Sequence, residues 1–174
     1  LGTMMDKIER VDRMVFILPQ ALGIMGINEH ITRSAMLDKA DLNSNIVYEF
    51  PELQGIIGGI YANLFGESEE VSIAIEEHYK PRFSTDTLPS SDVGALLAIA
   101  DKLDSISGAF IIGKKPTGNA DPLGVRRNTI GVLRILIDKG YEVNLKKIIQ
   151  ESLSTYEKVT EVKLNKTKDE LNND

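Results

Sequence analysis

The sequence lacks three features that would each point to a class of function. It contains no cysteine, which excludes disulfide bonds, thiolate catalysis and cysteine–zinc sites. It has no apolar run near the roughly 20 residues of a membrane helix and no signal-peptide pattern. Its formal net charge is −6, so it lacks the basic whole-surface footprint of a nucleic-acid-binding protein. We therefore expect a cytoplasmic protein, not associated with a membrane, in which any RNA contact comes from a local patch.

Helical periodicity is present along nearly the whole chain. Of 174 residues, 42% are hydrophobic, enough for one domain with a core of ordinary size. Apolar residues recur at spacings of three and four, which predicts an all-α fold of six to eight helices. The predicted helices span 3–22, 28–42, 52–65, 69–79, 90–110, 122–139 and 144–159. We assign residues 1–160 to one helical domain and 161–174 to a polar, disordered tail. Because the first residue is Leu1, we expect a piece of a longer polypeptide.

Two aspartates, Asp41 and Asp101, follow apolar helical runs. Helical phosphohydrolases of the HD superfamily place one histidine, an adjacent His-Asp pair and a distant aspartate around one metal ion. Here Ala40 precedes Asp41 where that pattern needs histidine, and neither His30 nor His78 adjoins it. The pattern thus predicts degenerate positions without a metal. The alternative role for both carboxylates is helix capping or structural hydrogen bonding.

A polar stretch, "GKKPTGNADP" at 113–122, resembles a phosphate-binding loop. A Walker loop requires Lys and Ser/Thr after its second glycine, but Asn119 and Ala120 stand there. We therefore do not expect an ATP site.

Four cations belong to this region: Lys114 and Lys115 at the head of the stretch, and Arg126 and Arg127 one turn into the next predicted helix. Such side chains beside a helix N-terminus suit a phosphate. Asp121 opposes this function, because a capping carboxylate already occupies the N-terminus. Two interpretations follow: contact with nucleic-acid phosphates, or an ordered connector with a solvated basic end.

The stretch "EFPELQGIIGG", residues 49–59, is rich in glycine and carries two carboxylates. The glycines predict close helix–helix packing. Glu49 and Glu52 are candidates to pair with Arg82 or with the arginines at 126 and 127. Alternatively, they face a partner domain.

Four long segments together resemble one known family: "LGTMMDKIERV", "KADLNSNIVYEFPELQGIIGGIYA", "GESEEVSIAIEEHYKPRFSTDTLPSS" and "LLAIADKLDSISGAFIIGKKPTGNADPLGVRRNTIGVLRIL". They look like the central part of the beta subunit of bacterial glycyl-tRNA synthetase, over about residues 1–156. The resemblance implies a degenerate HD-like helical domain, upstream of an anticodon-binding domain, within a two-subunit ligase. It also implies that Asp41 and Asp101 match the HD-type positions.

The resemblance further implies partners and a division of labour. The alpha subunit would hold the catalytic core that uses ATP, Mg²⁺ and glycine, while the beta subunit serves tRNA recognition. This chain alone would then catalyse nothing and hold no cofactor. Its partners would be the alpha subunit, other beta-subunit domains and tRNA(Gly), with Lys114, Lys115, Arg126 and Arg127 as the candidate phosphate contacts. The alternatives are a purely structural scaffold domain and a metal-dependent phosphohydrolase with a substitute ligand such as His78 or Glu49.

Overall fold

The structure, a computed structural model, describes residues 1–118 and 120–157 and leaves out the side chain of Asn28. In these ranges the chain forms eight α-helices, two short 3₁₀ helices and no strand. The α-helices are α1 Met4–Leu22, α2 Asn28–Leu37, α3 Asn45–Glu49, α4 Ile56–Leu64, α5 Glu69–Glu77, α6 Asp92–Ile111, α7 Val125–Asp138 and α8 Leu145–Ser154. The prediction of an all-α fold with six to eight helices is confirmed. The predicted tail, 161–174, lies outside the described residues.

Helix α6 is the centre of the fold. Its run Val93–Leu103 is buried on every side, and α1, α2, α5, α7 and α8 pack around it. The helix begins where Ser91 Oγ accepts the N–H of Gly94 at 2.9 Å, a typical N-cap. Although α6 has 20 residues, no helix in the described ranges has both the length and the apolar character of a membrane span.

Several predicted helices end or begin elsewhere in the structure. Helix α8 ends at Ser154, before the predicted end at 159. Helix α2 stops at Leu37 instead of continuing to Leu42, and a 3₁₀ helix follows at Ala40–Asn43. Helix α7 begins at Val125 instead of Pro122 because Gly124 adopts a left-handed conformation, with φ 64°. The carboxylate of Asp121 still closes α7, accepting the N–H groups of Val125 at 2.8 Å and Arg126 at 2.9 Å.

The predicted close packing at the glycine-rich stretch is present between α4 and α5. A Cβ on Gly59 would lie 2.8 Å from the carbonyl oxygen of Ser72, and one on Gly58 would lie 2.8 Å from Ile75 Cγ2. The glycines therefore let the two helices approach each other. The predicted single helix over 52–65 is divided at Gly55, whose φ is 80°.

Candidate functional site

Four side chains form a polar cluster inside the helical core, which we call the Lys39 cluster: Asp38, Lys39, His78 and Asp101. Asp38 and Lys39 directly follow α2, His78 follows α5, and Asp101 lies within α6. Each residue is less than a tenth exposed. Charged groups at such depth require partners, so their mutual geometry decides what the cluster can do.

The ammonium group of Lys39 occupies the centre of this cluster. Its Nζ lies 2.6 Å from His78 Nε2, 3.0 Å from Asp101 Oδ1 and 3.5 Å from Asp38 Oδ2. The ring of Tyr79 closes one side, with its centroid 4.3 Å from the same nitrogen. Lys39 is thus surrounded by an imidazole nitrogen, carboxylate oxygens and an aromatic face, all of which favour a cation.

The hydrogen bonds of His78 define its tautomer. Nδ1 lies 2.6 Å from the carbonyl oxygen of Ile75, which can only accept, so Nδ1 carries the proton. Nε2 therefore accepts a hydrogen bond from the Lys39 ammonium group. Burial and the positive charge of Lys39 hold the pKa of His78 well below its ordinary value.

The charge states of the remaining groups follow from burial and pairing. Burial lowers the pKa of Lys39, but the carboxylates of Asp101 and Asp38 outweigh it and raise that pKa above its ordinary value. Burial would raise the pKa of Asp101, but Lys39 and Lys7 hold it well below its ordinary value. For Asp38, burial prevails over the attraction of Lys39 and raises the pKa to about 6. Lys39 is therefore protonated and the lone pair of His78 Nε2 is used, so neither of these two side chains offers a free base.

The two predicted HD-type positions, Asp41 and Asp101, have separate partners. Asp41 Oδ2 accepts the N–H of Gly55 at 2.7 Å. Asp101 Oδ1 pairs with Lys39 and, at 3.2 Å, with Lys7. Across the described ranges, no group of three or more histidine or acidic side chains is placed to hold a metal ion. Lysine, instead, supplies the positive charge beside Asp101.

Sequence reasoning missed Asp38 and Lys39 as members of this cluster. The signal was present in "LDKAD", residues 37–41, where two charged residues directly follow an apolar helical run. Sequence spacing alone predicted that Asp41 shares a site with Asp101. In the structure, the turn after Leu37 brings Lys39 to Asp101 instead.

The four predicted phosphate contacts lie at the surface, on the connector 112–124 and the first turn of α7. Lys114, Lys115, Arg126 and Arg127 are all exposed. The Arg126 guanidinium donates to the carbonyl oxygen of Thr117. The first amides of α7 already donate to Asp121, so a phosphate here would depend on side chains and not on the helix N-terminus.

A cleft of about 340 Å³ separates the start of α7 from the loop that follows α5. Arg126, Arg127 and Arg134 line it together with apolar groups of Phe83 and Ile130. Lys114 and Lys115 do not line this cleft. The structure therefore brings two of the four predicted phosphate contacts, Arg126 and Arg127, together with Arg134.

Arg82 has partners other than the predicted carboxylates of Glu49 and Glu52. Its guanidinium donates to the backbone carbonyl oxygens of Glu52, at 2.7 Å, and Gln54. It thereby ties the loop after α5 to the segment before α4.

Comparison with known proteins identifies close relatives of the chain. The family model described as "Glycyl-tRNA synthetase beta subunit" matches residues 1–173. The glycine–tRNA ligase beta subunit of Syntrophomonas wolfei is 45% identical over 159 residues, covering 91% of this chain and 23% of the relative. That of Myxococcus xanthus is 48% identical over 153 residues, covering 88% and 22%. That of Klebsiella pneumoniae is 42% identical over 161 residues, covering 92% and 23%. The chain thus spans less than a quarter of the length of these relatives.

Proposed function

This chain belongs to the family of glycyl-tRNA synthetase beta subunits, and on that premise we propose that it is a helical module that contacts tRNA(Gly). Its contribution is positional: cationic side chains meet tRNA phosphates, so that the alpha subunit receives the 3′ end. ATP, Mg²⁺ and glycine are used by that alpha subunit, in the cytoplasm, and this chain holds no cofactor of its own. Other beta-subunit domains complete the assembly.

One observation carries this proposal: exposed cations are concentrated on the connector and the first turn of α7, although the net charge is −6. Within the described ranges, the side chains of Lys114, Lys115 and Arg127 form no hydrogen bond or ion pair. The described part of the chain does not use these charges, which we propose are available to a polyanion. Contacts of this kind are electrostatic, salt-dependent and tolerant of sequence.

The test is a salt titration of tRNA(Gly) binding to the 174-residue chain, followed by fluorescence anisotropy. The variants are K114A/K115A and R126A/R127A. We expect affinity to fall as salt rises, with the slope reduced by about one for each phosphate contact removed. The matched control is K146A/K147A, which removes two exposed lysines from α8 and leaves the slope unchanged.

Identical slopes for all proteins, or no binding by the unmodified chain, would reject the phosphate contacts. In an assembled ligase, R126A/R127A should raise the KM for tRNA and leave the KM for glycine and for ATP unchanged. An equal change in all three constants would indicate damage to the assembly instead.

A second candidate function, a scaffold for domain packing, is favoured by an apolar groove between α6, α7 and α8. The groove has a volume of about 490 Å³. Five of its apolar side chains are 39% to 45% exposed: Phe110, Leu133, Leu145, Ile149 and Leu153. The curated relatives are more than four times as long as the matched segment. We therefore propose that an apolar helix from the rest of the beta subunit binds in this groove.

Charged substitutions in the groove test the scaffold function. In a complete beta subunit, L133D/I149D should expose the docked helix to protease, while the melting temperature of the 174-residue chain stays unchanged. The control is L64D, because Leu64 is 72% exposed and lies outside the groove. Unchanged protease resistance would reject the docking. Dimers of the chain that form with rising concentration and are abolished by L133D/I149D would assign the groove to a second copy.

The phosphohydrolase alternative is not proposed, because Lys39 pairs with Asp101 and His78.

A further inference from the structure

We propose that the cleft between α7 and the loop after α5 binds one unpaired RNA nucleotide, with its base against Phe83 and its phosphate at Arg127. This inference rests on the proposed function and deepens it, since phosphate contacts alone require neither an aromatic side chain nor an unpaired strand. The volume of about 340 Å³ is at the lower end of the range for small-ligand pockets.

The walls of the cleft are apolar and accessible. Phe83 is 57% exposed and Ile130 is 54% exposed, and both line the cleft with Pro81 and Gly131. Phe83 and Ile130 together form an apolar wall beside the arginines that line the cleft. Nucleobases stack on aromatic side chains whatever their sequence, and a base is flat enough to enter beside the ring.

The loop that carries Phe83 is held in place by hydrogen bonds. Arg134 donates to the carbonyl oxygens of Ser84 at 2.9 Å and Asp86 at 3.1 Å. The carboxylate of Asp86 accepts the N–H groups of Arg82 at 2.6 Å and Thr87 at 2.8 Å. The backbone of this loop is therefore preorganised, which lowers the entropy lost on binding.

The rim of the cleft supplies positive charge beside this wall. Arg127 makes no hydrogen bond or ion pair with any described residue, and its Nη2 lies 2.8 Å from the position of a Cβ on Gly124. The carboxylate of Asp121 also lines the cleft, but its oxygens accept the N–H groups of Val125 and Arg126. A free guanidinium next to a stacking surface matches the phosphate and base of one nucleotide.

Duplex RNA offers phosphates but keeps its bases stacked inside the helix, so it could use Arg127 but not Phe83. The two kinds of contact also differ in salt dependence: phosphate contacts set the slope of affinity against salt, whereas stacking does not. The experiment uses these differences to separate the nucleotide site from a simple phosphate patch.

The experiment measures binding of the 174-residue chain to a fluorescent single-stranded RNA and to a duplex RNA of equal length. We expect F83A to weaken single-strand binding about 5- to 150-fold, with an unchanged salt slope and unchanged duplex binding. F83Y retains a stacking ring and should bind as the unmodified chain does. R127Q should lower the salt slope for both RNAs by about one. The matched control is F16A, because Phe16 is 63% exposed and lies outside the cleft.

Each outcome separates this inference from the proposed function. If F83A changes neither RNA, or both equally, while R127Q lowers the slope, the nucleotide site is wrong and the phosphate contacts stand. If the unmodified chain binds no RNA, both are wrong. If an acidic peptide binds the cleft more tightly than single-stranded RNA does, the site belongs to a protein partner and the nucleotide site is rejected. Melting temperatures of the variants show whether they fold.

Discussion

Lys39 Nζ lies 2.6 Å from His78 Nε2, so a protonated amine and a neutral imidazole share one hydrogen bond inside the helical core. The contact joins the end of α2 to the end of α5, and Asp101 of α6 balances the charge. Three helices therefore meet through one ammonium group. This relationship has consequences for stability that differ from those of an apolar core.

Removing the charge of Lys39 should destabilise the fold strongly. In K39M the carboxylate of Asp101 loses a buried partner, and breaking such a pair costs about 3–5 kcal/mol. The double variant K39M/D101N removes both charges and should lose clearly less than the sum of the two single variants. Urea unfolding followed by circular dichroism measures all four proteins. Additive losses would show that the pair is not coupled. K146M serves as the control, because Lys146 is exposed on α8.

His78 should make the unfolding free energy fall in mild acid. Its pKa is lowered in the folded state, so below about pH 6.5 the unfolded chain binds a proton that the folded chain does not. Stability is therefore lost as pH falls through the unfolded value, by up to about 1.4 kcal/mol per pH unit. H78Q lacks this group, so the advantage of the unmodified chain over H78Q should shrink from pH 7 to pH 5. Urea midpoints across this range measure it, and a constant difference would contradict the assignment.

Asp38 should have the opposite pH dependence. Burial raises the pKa of Asp38 from its ordinary value of 3.8 to about 6 in the folded state. Its contribution to stability is therefore fully present below the lower value and is lost as pH rises through the higher one. D38N does not ionise. The stability of D38N relative to the unmodified chain should therefore be greater at pH 7 than at pH 4, by up to about 3 kcal/mol. If the stability of D38N relative to the unmodified chain does not change with pH, or is larger at pH 4, then burial does not raise the pKa of Asp38.

Gly59 should not tolerate even one methyl group. Alanine is better than glycine by about 1 kcal/mol in a helix interior, but its Cβ would lie 2.8 Å from the backbone oxygen of Ser72. Forcing α4 away from α5 costs about 1–3 kcal/mol, so G59A should be less stable. G118A is the control, because a Cβ there has no neighbour within 4 Å. Thermal unfolding compares the two, and a more stable G59A would show that the helices separate at little cost.

Asp121 should affect stability and RNA affinity in opposite directions. D121A removes the carboxylate that accepts two N–H groups of α7, which should cost about 1 kcal/mol. It also removes a negative charge from the arginine-lined cleft, so RNA binding should tighten. N144A is the control. It should lose a similar amount of stability to D121A, since Asn144 caps α8 by accepting the N–H of Lys147 at 3.1 Å, but it should leave RNA affinity unchanged. Weaker RNA binding by D121A would place the RNA elsewhere.

Helix content followed from local sequence patterns, while helix ends often depended on distant residues. The predicted start of the last helix at 144 is confirmed by the cap that Asn144 forms on α8, because a cap involves only neighbouring backbone. The end of α2 was wrong by five residues, because Lys39 turns inward toward partners 39 and 62 positions away, His78 and Asp101. The stretch "IVYEF", rich in residues that favour strands, contributes to helix α3.

For the candidate site, the residue types were predictable and their partners were not. A buried carboxylate at Asp101 follows from its place in the apolar centre of α6, but the ammonium group beside it comes from another helix end. Arg126 and Arg127 were predicted as phosphate contacts and stay a prediction. Phe83 and Arg134 join them only through the packing of the loop after α5 on α7.

The sequence by itself determined the helical class and the family, because periodicity and long ordered motifs are properties of neighbouring residues. The tertiary structure alone decided that Lys39 balances Asp101, that Asp41 bonds to the backbone of Gly55, and that Phe83 lies beside three arginines. These relationships join residues 14 to 62 positions apart. They depend on how helices pack, and burial then selects the partner that each charge can reach.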